Sequence, residues 1–259
     1  MPENSTEKRF WQMFMTVYSD STFVRLEPVF GTAHTRKHPT APEDMTLTRS
    51  LKLNFRCYGK IDSRYVGIRG QANGLEPAAD DTVRQWEFDS YEHKGTNFSG
   101  QLDGVFGIGT AAGGLLVSIP NLPESFPGGV TFSQNTMSVE LMPEILPAAR
   151  YRQRDKEYIQ YFYLRHGAYE LRGGLEKSFP LYAGFAENRN GYAAALAMQT
   201  ENIGMVEIPY LNSTGAWYHK IIPPGPLSAP YDREVRTGLE AWFKRRASEK
   251  WYGLINYGD

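Results

Sequence analysis

Residues 104–120 read GVFGIGTAAGGLLVSIP, and the reading of this stretch decides the fold class. Its segment GIGTAA, residues 107–112, fits the spacing G-x-G-x-x-A. That spacing marks a dinucleotide site only when a strand leads into it and a helix follows, so that a phosphate meets the helix N-terminus. Here Gly113 and Gly114 follow, and then the apolar run LLVSIP, which has strand length and strand composition. The stretch is therefore predicted to be a glycine-rich hairpin or loop between strands. A nucleotide-binding α/β sheet is set aside with it.

Working outward, further strand-length segments flank this one. Toward the N-terminus lie FWQMFMTVYSD (10–20), STFVRLEPVF (21–30), TLTRSLKLNFRCYG (46–59), RYVGIRG (64–70) and VRQWEFDSYEHK (83–94). Toward the C-terminus lie TMSVELMPE (136–144), EYIQYFYLR (157–165), KSFPLYAGF (177–185) and YAAALAMQT (192–200). Asp, Ser, Gly and Pro separate them, as turn residues do. In 46–59, Leu47, Leu51, Leu53 and Phe55 keep a period of two, which predicts one buried face. No strand–helix–strand alternation appears, so the expected class is mainly β, a sandwich or barrel.

The pattern changes after IIPPGPLSAPYD (221–232), whose four prolines and one glycine read as a linker. DREVRTGLEAWFKRRASEKW (232–251) has helical period, with Val235, Leu239, Trp242 and Phe243 on one face and Asp232 as the expected N-cap. Gly238 inside it costs about 1 kcal/mol against Ala.

Composition bounds the function. A net charge of -1 over 259 residues gives no basic field for nucleic acid. No apolar run is long enough to cross a bilayer, and the N-terminal residues lack a signal-peptide core. A single cysteine, Cys57, excludes an internal disulfide framework and a cysteine-cluster metal site. Sequons at Asn4, Asn97 and Asn212 are short matches that arise often by chance. The 14% aromatic content with 25 Gly and 16 Pro fits an all-β carbohydrate-handling domain, although each single ring is by default core.

The remaining motifs carry less. His34 and His38 are spaced i, i+4, but two cations separate them and Pro39 follows, which reads as a basic loop rather than a zinc helix. The cationic run RYRQRDK (150–156) reads as a solvated loop, and lining a cleft it would suit an anionic polymer. His166 and Lys177 taken alone read as a structural histidine and a surface charge. No nucleophile elbow or phosphate loop occurs, and no cofactor or metal is assigned.

Three stretches carry a family resemblance. Residues 114–144 (GLLVSIPNLPESFPGGVTFSQNTMSVELMPE), 164–185 (LRHGAYELRGGLEKSFPLYAGF) and, most sharply, 251–259 (WYGLINYGD) resemble the exo-rhamnogalacturonan lyase-like family, polysaccharide lyase family 26 and its relatives. The resemblance implies an N-terminal β domain (1–146, its later part), a central β-sandwich (147–222), and a linker with the first helix of an α/α toroid (223–259), cut short. It also implies a partner, the acidic plant polysaccharide rhamnogalacturonan, cleaved by β-elimination at the uronate. Such a site must neutralise the uronate carboxylate and place a base within ~3 Å of the C5 proton. The residues implied are Tyr257 as proton carrier, Asn256 as donor and Asp259 as orienting group, with Lys177 and His166 reaching in from the sandwich. After Lys177 the chain has Ser178, Phe179 and Pro180, where the family shows Thr-His-Glu. With most of the toroid missing, the isolated chain is expected to be inactive. The alternative is a non-catalytic all-β module that binds polysaccharide or acts as a scaffold. A sugar-epimerase type of sandwich, for which no acid–base pair is located, is a third reading.

Overall fold

The computed structural model describes residues 8–33, 46–111, 113–144, 168–171, 174–186, 190–200, 207–215, 225–226, 228–249 and 252. It has two compact units, Met1–Thr200 with Tyr252–Asp259, and Glu201–Trp251.

The first unit is mainly β. One sheet has β1 (Lys8–Val17), β2 (Phe23–Ala33), β15 (Leu181–Ala186), β10 (Gly113–Ser118), β9 (Leu102–Thr110) and β5 (Ser63–Ile68) in that order, with β14 (Glu176–Ser178) also paired to β2. The second sheet runs β4 (Leu51–Arg56), β12 (Thr136–Met142), β11 (Gly128–Phe132), β6 (Thr82–Glu87), β7 (Ser90–His93), β8 (Thr96–Ser99). A two-stranded ribbon joins β3 (Thr46–Thr48) to β13 (Tyr169–Leu171). All the pairings are antiparallel.

The two large sheets share one core. Val66, Phe106, Ile108 and Val117 from the first meet Val83, Val130, Phe132, Met137 and Val139 from the second in a single apolar cluster. This is the sandwich solution to burying one face of each sheet. Gln85, wholly buried, ties the β6–β7 turn to β9. Its Nε2 donates to the Glu87 carbonyl at 2.6 Å and the Ser90 carbonyl at 3.1 Å, while its Oε1 accepts the Leu102 N–H at 2.7 Å.

The stretch 104–120 is a hairpin, as expected. Thr110 pairs with Gly113, and Gly113 sits at φ 130°, a conformation a side chain resists. Strands from both sides of residue 146, the boundary expected between two β domains, share the sheets: β14 and β15 pair with β2, and β13 with β3.

Three expectations need correction. Residues 192–200 were expected as a strand, yet the chain forms helix α1 (Asn190–Ala197) there. The run holds Ala193, Ala194, Ala195 and Ala197, and alanine is the strongest helix former and a weak strand former. The period of two over 46–59 spans two strands in different sheets, so Leu47 in β3 is 50% exposed while β4 alternates by itself. The N-cap of the last helix is Ser228, not Asp232.

The second unit holds α2 (Ile208–Ser213) and α3 (Ala229–Ser248). Pro230 lies in the first turn of α3, where its missing N–H costs nothing, so the helix begins inside the expected linker. The Ser228 hydroxyl donates to the Asp232 carboxylate at 2.7 Å. No described helix is long and apolar enough to cross a membrane.

Candidate functional site

Strand β9 is buried along most of its length because both its faces are covered. Alternation sends Phe106 and Ile108 into the sandwich core. Val105, Gly107 and Gly109 then face outward beside Tyr65 and Ser63 of β5, and Gly114 and Leu116 of β10, by register. Helix α1 lies on this outer face, where Ala195 joins Phe23 and Val105 in a second cluster flanked by Tyr65, Leu116, Tyr182 and Tyr192.

Two side chains two helical turns apart anchor α1. The Tyr192 hydroxyl donates to Asp103 Oδ2. Gln199, just past the helix, donates from Nε2 to the Asp103 carbonyl at 2.8 Å and to Ser118 Oγ at 3.0 Å. Asp103 Oδ1 also accepts the Val105 N–H at 2.8 Å. The carboxylate fits because residue 67 is glycine: a Cβ there would lie 2.1 Å from Asp103 Oδ1.

Beside this clasp opens a cavity of about 400 Å³. Its floor is glycine. Gly109 and Gly114 sit directly opposite each other, with Gly107 two residues along β9 on the same face, and Ala186 opposes Gly114 from β15. Added Cβ atoms would meet Leu116 at 2.7 Å from Gly107, Ser63 Oγ at 2.4 Å from Gly109 and the Ile108 carbonyl at 2.9 Å from Gly114. Tyr65 and Tyr192 wall it, edge to face with centroids 5.2 Å apart. Asn73, Glu76 and Thr110 supply polar lining.

The electrostatics favour donors over bases. Burial, then the hydrogen bond and charge of Asp103, then Tyr65 push the Tyr192 phenol pKa up, so Tyr192 stays protonated at neutral pH. Burial pushes Asp103 up as well, against the Tyr192 and Val105 hydrogen bonds and the Arg69 charge.

Of the residues implied by the resemblance, Lys177 is described. It lies on β14 opposite Phe30, its amine pKa lowered by burial, and it is not among the residues lining the cavity. His166, Asn256, Tyr257 and Asp259 lie outside the described residues, as do His34, His38 and the cationic run 150–156. Tyr252, from the 251–259 signature, stacks on Phe88 with centroids 4.1 Å apart and planes 7° apart. Among the described residues no group of three or more His, Cys, Asp and Glu is placed to hold a metal ion.

Sequence reasoning missed Tyr65, Asp103 and Tyr192. One signal was present, a lone acid inside the apolar, glycine-rich run LDGVFGIGT, because a buried carboxylate needs partners. No protein-family model matches the sequence, and no curated protein matches it.

Proposed function

We propose that this chain binds carbohydrate in the cavity on the outer face of the seven-stranded sheet. The observation that carries the reading is the aromatic pair Tyr65 and Tyr192 standing over a floor of glycines. A sugar ring has a flat C–H face that packs on an aromatic ring, and hydroxyls at its edge that need donors and acceptors. At the glycine floor Leu116, Ser63 and the Ile108 carbonyl fill the space a side chain would take, so the floor is close-packed beneath a ring, and Asn73, Glu76 and Thr110 line its edge.

The polymer class comes from the family resemblance: a pectin-type backbone of rhamnose and galacturonate. Within the cavity the described side chains favour binding over cleavage. β-Elimination requires a base, and Tyr192 is held protonated. The lyase chemistry that the resemblance implies would rest on Asn256, Tyr257 and Asp259, with Lys177 and His166.

Titration calorimetry of the whole chain with rhamnogalacturonan oligosaccharides tests the binding. Tyr65→Ala should weaken it by about three- to tenfold, the loss of one aromatic contact. Equal binding by Tyr65→Ala would move the site elsewhere. Incubation with the same oligosaccharides should give no rise in the ultraviolet absorbance of an unsaturated uronate, and a clear rise would replace binding with cleavage.

A further inference from the structure

We propose that Asp103 is a positioning residue for the cavity: through Tyr192 it docks α1 on the sheet, and a bound sugar and the docked helix stabilise each other. This rests on the carbohydrate-binding reading and deepens it, because it says how the site is completed and controlled.

The cavity has two kinds of wall. Tyr65, Gly107, Gly109, Gly114 and Leu116 belong to β5, β9 and β10, whose positions strand register fixes. Tyr192 belongs to α1, an eight-residue helix that its own backbone hydrogen bonds cannot sustain. What holds the Tyr192 ring in the wall is therefore whatever docks the helix. At its start, Gly191 lies so close to the sheet that a Cβ there would be 2.1 Å from the Ala186 Cβ and 3.1 Å from Leu116 Cδ1. In its middle, Ala195 is wholly buried with Phe23 and Val105. Just past its end, Gln199 donates to the Asp103 carbonyl and to Ser118 Oγ, and Gly104, at φ 84°, leaves room for it. Asp103 serves both ends of the helix: its carboxylate accepts the Tyr192 hydroxyl and its carbonyl accepts Gln199. It does not itself line the cavity, so it reaches a ligand through the helix. A sugar that packs on Tyr192 finds the ring in place only when α1 is docked. Bound ligand must then favour docking, and undocking must lower the apparent affinity by the docked fraction.

Amide hydrogen exchange of the whole chain, read by NMR, tests this with and without rhamnogalacturonan oligosaccharides at about ten times their calorimetric Kd. The informative amides are those of Met198 and Thr200, which donate to the Ala194 and Ala197 carbonyls and belong to residues outside the cavity lining. Ligand should slow them about tenfold, by the factor 1 + [L]/Kd, while amides of β8, in the other sheet, keep their rates. Gln199→Ala removes one end of the clasp and leaves the cavity lining intact, and it should speed these amides about tenfold in the free chain. Tyr192→Phe keeps the ring, drops the hydroxyl that Asp103 holds, and should speed them at least as much. Ligand should slow the faster exchange of Gln199→Ala again. Calorimetric binding without slowing of Met198 and Thr200 overturns the coupling and leaves carbohydrate binding intact. Unchanged exchange in both variants overturns the role of Asp103. Loss of protection from β9 and β10 together with α1 would make the clasp a support of the whole unit and likewise overturn its positioning role. Absence of oligosaccharide binding to the parent chain overturns the carbohydrate reading itself, and this inference with it.

Discussion

Glu140 has no exposed side-chain surface, although it projects from the face of its sheet that is turned away from the sandwich core. Burial alone would raise its carboxyl pKa. Hydrogen bonds from Arg84 and Lys52, and the charges behind them, outweigh burial and hold it below the ordinary glutamate range. The geometry explains the balance: Arg84 grips both oxygens at 2.5 and 3.0 Å, Lys52 lies 2.8 Å away, and the Thr131 hydroxyl donates at 3.0 Å. A depressed folded pKa means that the unfolded chain binds the proton more readily. The stability from this group is therefore present above the ordinary glutamate range and lost as pH falls through the lowered value. Glu140→Gln should cost about 2 kcal/mol at neutral pH, less than a fully dry pair because Arg84 and Lys52 keep access to water. The difference from the parent should shrink on the acid side of the glutamate range, as read by denaturant unfolding across pH. A penalty independent of pH would assign the effect to packing. Replacing the pair together, Arg84→Met with Glu140→Leu, should cost less than the glutamate change alone, because the more buried of the two cations leaves with its carboxylate and Lys52, a third exposed, can turn to water.

At the scale of elements, α1 and α3 are opposites. Helix α1 is eight residues, too short to persist alone, and it exists because Tyr192, Ala195 and Gln199 clasp it to β9 and β10. Helix α3 is 20 residues with no buried position, so local propensity sustains it. Gly238→Ala should therefore stabilise α3 by about 1 kcal/mol, since an added Cβ meets nothing within 4 Å. Circular dichroism should show more helix at elevated temperature, and unchanged melting would mean that packing holds α3. This contrast also marks what the sequence made legible. The period of 3.6 in α3 and the period of two in β4 and β12 are intrinsic signals, visible in residues such as Val235 and Leu239 or Met137 and Val139. The strand β9 lacks such a period because it is covered on both faces. The segment 192–200 looked like a strand because its two polar anchors, Tyr192 and Gln199, find their partners on β9 and β10, far away in sequence. The site was illegible for the same reason: Tyr65, Asp103 and Tyr192 converge only through the β5–β9 register and the docking of α1.

At the scale of the whole molecule, the two units differ in what protects their hydrogen bonds. In the first, β9 and β10 lie in the interior of a sheet whose faces are covered by the second sheet on one side and by α1 on the other. Opening them exposes Val105, Phe106 and Val117, all without solvent contact, so their amides exchange only when most of the unit unfolds. In α3, Val235, Leu239, Trp242 and Phe243 are 41% to 55% exposed, and a fraying turn forfeits little burial. Hydrogen exchange followed by mass spectrometry should thus give two populations of amides. Those of β9, β10 and β12 should be protected by at least about a thousandfold more than those of α3, corresponding to ~4 kcal/mol of opening free energy at 1.4 kcal/mol per decade. Thermal unfolding should likewise show the helical signal lost before the near-ultraviolet signal of buried Tyr91 and Tyr169. Protection of α3 equal to that of β10 would overturn the argument, because it would require the apolar face of α3 to be covered in solution. Salt or dilution would then distinguish a cover supplied by another copy of the chain, whose protection falls with concentration, from one supplied within the chain, whose protection does not.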